Sequence, residues 1–75
     1  MTYRDIEQCF ELTGVNIYGL GRFDATTVGT HNPKLVSFFV WKYRQKETPA
    51  ITFEEIKDLK IDTDEVGKAI DSFFS

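Results

Sequence analysis

Few residues in this 75-residue chain have the chemistry for a reaction, and Cys9 and His31 are the sole representatives of their types. A thiol needs a neighbouring base to act as a nucleophile, and His31 follows a Gly-rich stretch with nothing in the sequence to carry it to Cys9. Cys9 reads instead as a small thiol on a buried helical stripe, and His31 as an exposed or capping group. A single Cys makes no internal disulfide, and one Cys with one His does not complete a tetrahedral zinc site. The acidic pairs Glu54-Glu55 and Asp62/Asp64 have the groups for acid–base work. Each falls in the first turn of an expected helix, where carboxylates complement the dipole. Asp62-Thr63-Asp64 opens like a calcium loop but lacks the later oxygen ligand, the central Gly and the terminal Glu. Gly19-Leu20-Gly21 lacks the third Gly of a phosphate cradle, with no strand expected before it and no helix start after it. The residues predict no catalytic centre, no metal and no cofactor.

Binding chemistry is better represented. Trp41-Lys42-Tyr43-Arg44-Gln45-Lys46 interleaves rings and cations, which could stack on and neutralise a nucleic acid, but helical spacing gives the plainer account of a core-side Trp and a solvated helix end. Helices over 52–60 and 63–74 could form a helix-turn-helix, yet the second presents Asp64, Glu65, Lys68, Asp71 and Ser72, a net negative set unsuited to reading bases. Nucleic acid is therefore not expected as a partner. What stands out is seven Phe, three Tyr and one Trp in so short a chain. The expected partner-facing residues are Phe38, Phe39, Trp41, Tyr43, Phe73 and Phe74, aromatics of the kind that anchor interfaces.

The elements that position these groups follow from periodicity and caps. Thr2 and Asp5 open a first helix over 2–13, with Tyr3, Ile6, Cys9, Phe10 and Thr13 along its apolar side and Gly14 as its stop. Residues 14–32 hold four of the five glycines, and predict an irregular, partly buried connection with no more than one helical turn, near Ala25 to Val28. Asn32-Pro33 is an N-cap followed by Pro at the first helical position, opening a central helix from Pro33 to about Lys46 that is apolar around most of its circumference. Thr48-Pro49 breaks it. Thr52 and Glu55 start a short helix ending near Lys60, and Asp62 to Glu65 cap a closing helix with Val66, Ala69, Ile70, Phe73 and Phe74 on one face. The fold class expected is all-α, one domain over 1–75 of about four short helices.

Composition sets the outer bounds. At 8.7 kDa and 41% hydrophobic residues there is room for one core, and a domain this small buries only roughly 60% of its unfolded surface. Self-association or a partner is the expected source of further stability. The net charge of −3 divides into about +2 over residues 1–46 and −5 over 47–75, which argues against affinity drawn from phosphates and allows head-to-tail contact between copies. No apolar run approaches the ~20 residues of a membrane span, so a soluble, cytoplasmic protein is expected.

The order of motifs adds a resemblance. An opening helix ending in Thr13-Gly14-Val15-Asn16-Ile17 and a Gly-rich connection lead to Asn32-Pro33-Lys34-Leu35 and an aromatic helix through Trp41. Thr48-Pro49-Ala50-Ile51-Thr52-Phe53-Glu54-Glu55-Ile56 and Asp64-Glu65-Val66-Gly67-Lys68-Ala69-Ile70 follow. Over most of residues 3–74 this resembles the small tail assembly chaperones of long-tailed bacteriophages and related prophages. The resemblance implies an all-helical, non-catalytic protein that binds the tape measure protein during tail morphogenesis and keeps its long hydrophobic helices from aggregating. It also implies self-association and interaction with tail tube subunits. The expected mechanism is an apolar groove between the central and closing helices that takes a partner helix, with acidic Glu54, Glu55, Asp58, Asp64 and Asp71 favouring a basic partner. The alternatives are a small helix-turn-helix regulator and a structural head or tail subunit.

Overall fold

Capping residues set where each helix starts in the computed structural model, which describes the backbone of residues 1–75 and every side chain except those of Arg22 and Thr30. Among the described residues there are five helices and no strand: α1 (Tyr3–Thr13), α2 (Arg22–His31), α3 (Pro33–Arg44), α4 (Phe53–Lys57) and α5 (Thr63–Phe73). Thr2 and Asp5 form a reciprocal capping box at α1, the Asp5 N–H donating to Thr2 Oγ1 at 3.2 Å and the Thr2 N–H to the Asp5 carboxylate at 2.9 Å. Gly14 ends α1 at φ 76°, a left-handed conformation that glycine adopts without a Cβ penalty, and its N–H returns to the Phe10 carbonyl at 2.9 Å. Asn32 caps α3 through the N–H groups of Lys34 and Leu35, Thr52 caps α4 through Glu55, and Asp62 caps α5 through Asp64 and Glu65. Of the carboxylates read as capping groups in α5, Asp62 is the cap, and Asp64 and Glu65 stand in the first turn.

The expected four helices become five because residues 22–31 form α2 where the sequence predicts an irregular connection. The irregular part is confined to 14–21, where Gly19 at φ 86° turns the chain and the Leu20 N–H donates to the Ile17 carbonyl at 3.1 Å. Tertiary packing overrides weak propensity here. Ala25 is fully buried, and Gly29 is buried because α2 passes close to α3: a Cβ on it would sit 3.2 Å from Val36 Cγ2. Both later boundaries also shift. α3 ends at Arg44, and α4 ends at Lys57, short of Lys60.

α3 is the hub. It packs against α1, α2, α4 and α5, whereas α1 packs on α3 alone. On the side facing α5, Phe38 and Phe39 meet Phe73 and Phe74 with ring centroids 4.9–5.8 Å apart, all tilted or edge-to-face. Trp41 stacks edge-on against Phe53 of α4 at 5.6 Å, and its indole N–H donates to the Ile51 carbonyl at 2.9 Å, pinning the loop that Pro49 opens. The Asn32 amide donates to the Thr13 carbonyl at 3.3 Å, tying the end of α1 to the α2–α3 junction. The radius of gyration is 11.2 Å, close to the about 11 Å expected of a compact chain of this length. No helix among the described residues is long and apolar enough to cross a membrane.

Candidate functional site

Cys9 and His31, the two residues offered as nucleophile and base, sit in different surroundings. Cys9 is fully buried on α1, and burial pushes its thiol above the ordinary value, only partly offset by the Thr13 hydroxyl 3.5 Å away. A thiol so placed is a poor nucleophile at neutral pH. His31 is exposed at the end of α2. Among the described residues no three His, Cys, Asp or Glu side chains converge as a metal site.

The cations of the Trp41–Lys46 segment are turned to internal partners. Lys42 pairs with Asp5 at 3.1 Å and donates to the Gln8 side chain. Arg44 pairs with Glu65 at 2.9 Å, and Lys46 reaches Ser72. Burial alone would raise the Asp5 carboxyl, but the Thr2 N–H and the Lys42 ammonium outweigh it and hold Asp5 below its ordinary value of 3.8. These contacts fasten α3 to α1 and α5, leaving a poor phosphate-binding surface. The exposed residues of α5 are Thr63, Asp64, Gly67, Lys68 and Asp71, with no Arg, Asn or Gln to read a base edge.

The expected partner-facing aromatics divide in two. Phe38, Phe39 and Trp41 are buried; as anchors for a partner they are corrected to core residues, because α3 is covered on several sides and its rings find partners within the chain. Tyr43, Phe73 and Phe74 are half-buried. Where α3 and α5 meet at Phe38, Phe39, Phe73 and Phe74 the rings fill the space between the helices.

A groove of ≈ 350 Å³ opens where α3, α4 and the start of α5 meet, lined by none of those four rings. Its floor is aliphatic: Val36 and Val40 of α3, Ile56 of α4 and Val66 of α5. The link between α4 and α5 forms one wall, with Leu59 42% and Ile61 84% exposed. Lys57, Lys60, Asp62 and Glu65 also line it. Three of these four are engaged within the chain, Asp62 by the α5 N–H groups, Glu65 by Arg44 and Lys57 by Glu54 at 2.9 Å. Beyond Val66 the surface continues to Phe23 of α2, which is 83% exposed.

The aliphatic part of this arrangement is suited to holding an apolar segment, the common mode for an amphipathic helix laid in a hydrophobic groove. Sequence reasoning missed it because its residues come from four helices and one link. One signal was available: Ile61 is an isolated large apolar residue between Lys60 and Asp62, outside any helical stripe. No protein-family model, curated protein or solved structure matches this chain.

Proposed function

We propose that the chain is a non-catalytic helical adaptor that binds an apolar helix of a partner protein, acting as a tail assembly chaperone for the tape measure protein of a bacteriophage in the host cytoplasm. The observation that carries the binding role is the aliphatic groove, whose wall leaves Leu59 and Ile61 open to solvent. Exposed large aliphatic side chains beside a concave apolar floor gain free energy when a partner covers them, at roughly 25 cal/mol per Å² of apolar surface removed from water. The tail-specific part of the reading is supported by the motif order from Thr13-Gly14 through Thr52-Phe53-Glu54-Glu55 to the closing helix. Tail tube subunits are the second partner this reading admits.

The groove relocates the binding surface. The client helix would lie across Val36, Val40 and Val66 against Ile61, while the α3–α5 aromatics act as the frame that holds those residues in place. Co-expression with a helical tape measure fragment, followed by size exclusion with light scattering, tests this. The expected outcome is a soluble hetero-complex with the native chain and an insoluble fragment with Ile61→Glu. A native chain that leaves the fragment insoluble overturns the reading. Duplex binding that collapses as salt rises would then restore the regulator alternative, and a fixed ring that does not dissociate on dilution would restore the structural subunit.

A further inference from the structure

We propose that the outer face of α1 is a second docking surface and takes an arginine-bearing segment of a partner protein. No residue of α1 lines the aliphatic groove, so this surface is separate from the one that carries the proposed client.

Two kinds of group on this face carry the proposal, and neither is satisfied within the chain. α3 is the one helix against which α1 packs, which leaves Tyr3 83% and Phe10 56% exposed. Glu7 and Glu11 are exposed as well, and neither carboxylate is in an ion pair among the described residues. Glu7 stands four residues from Tyr3, three from Phe10 and four from Glu11, so the four side chains are neighbours on one helical face. Beside them Ile6, Glu7, Phe10, Glu11 and Asn16 line a depression of ≈ 390 Å³ that holds no cation of the chain.

Rings and carboxylates select the same visitor. A ring face attracts a cation through its quadrupole, and a carboxylate attracts it by charge. The nearby cations of the chain are engaged elsewhere, Lys42 with Asp5, Arg44 with Glu65 and Lys46 with Ser72. Arg4 is exposed on α1, but the helical rotation of about 100° per residue sets it beyond Glu7 and Glu11, on the side away from the rings. The edge next to Tyr3 and Phe10 is therefore acidic. A guanidinium fits it better than an ammonium, because its plane stacks on a ring while its forked N–H groups meet a carboxylate. Tyr3 and Phe10 lie about 10 Å apart along the helix axis, a span that a peptide segment covers and a lone small cation does not.

Titrating the full chain with an alanine-based helical peptide that carries two arginines four residues apart, followed through backbone amide shifts by NMR, tests the surface. Shifts are expected around Tyr3, Glu7, Phe10 and Glu11 and not around Val36, Val40 and Ile61. Affinity is expected to fall about tenfold in Glu7→Gln/Glu11→Gln and about threefold in Phe10→Ala. Lysines in place of the peptide's arginines weaken it too, and Arg4→Gln tightens it. Circular dichroism checks that each variant stays folded. Glu47→Gln/Asp58→Asn removes the same charge from exposed positions outside α1 and is expected to leave affinity unchanged. A native chain that does not bind the peptide, shifts centred on the groove or on residues 47–75, or a control variant that loses as much affinity as Glu7→Gln/Glu11→Gln overturns the proposal. So does a matching glutamate peptide that binds equally well. Ile61→Glu separates the two surfaces: it removes the client from the groove and is expected to leave binding of the arginine peptide intact, so either reading fails without the other.

Discussion

The two sides of α3 use apolar residues in opposite ways. Toward α5, Phe38 and Phe39 close on Phe73 and Phe74 in a ring-to-ring seam that has no room for a visitor. Away from that seam, Val36 and Val40, four residues apart, line a groove together with Val66 of α5 and the short link between α4 and α5. Large rings reach across the space between two helices and fill it. Valines reach less far, and the short α4 supplies little to finish the job. Apolar content alone therefore does not distinguish a core from a binding surface; side-chain reach and the length of the neighbouring element do.

This contrast can be broken on the seam side first. Phe38→Ala removes a fully buried ring that touches Phe39, Trp41 and Phe73, and is expected to cost about 3–5 kcal/mol. In a domain this small, that amounts to loss of the cooperative transition in chemical denaturation.

Trp41→Phe keeps most of the ring packing but removes the indole donor to the Ile51 carbonyl. It is expected to cost about 1–3 kcal/mol, read as a lower denaturation midpoint with an unchanged slope.

Asp5→Asn acts at the edge of the seam. It removes the ion pair with Lys42 and leaves a neutral amide oxygen in place of the charged acceptor of the Thr2 N–H, costing about 1 kcal/mol near neutral pH. The folded carboxyl is held below its ordinary value of 3.8, so its contribution is fully present above that value and is lost as pH falls through the lower folded value. The native chain should approach the variant's stability at acid pH, and a gap that widens on acidification would contradict the assignment.

The smallest stability effect sharpens the contrast most. Ile61→Glu, on an 84% exposed residue, should change stability by no more than about 0.5 kcal/mol. It should nonetheless abolish client binding. A stability loss as large as that of Trp41→Phe would make Ile61 a core residue and remove the groove.

Local signals in the sequence determined much of the architecture. The caps at Thr2, Asn32, Thr52 and Asp62, the stop at Gly14 and the break at Pro49 act within a few residues of themselves, so the starts of α1, α3, α4 and α5 were legible. The all-helical class and the buried face of α5 followed from periodicity. Tertiary structure decided what depends on neighbours. α2 exists because Ala25 and Gly29 let it lie close against the core, a gain that per-residue propensity does not contain. The apolar stripe of α1 was legible, but not that its Tyr3 and Phe10 edge stays open, which follows from α1 having α3 as its one helical neighbour. Phe38, Phe39 and Trp41 turned inward for the converse reason, since α3 is surrounded. Periodicity assigns side chains to faces of a helix; only the assembled set of helices decides which faces are covered, because burial belongs to pairs of surfaces and not to one.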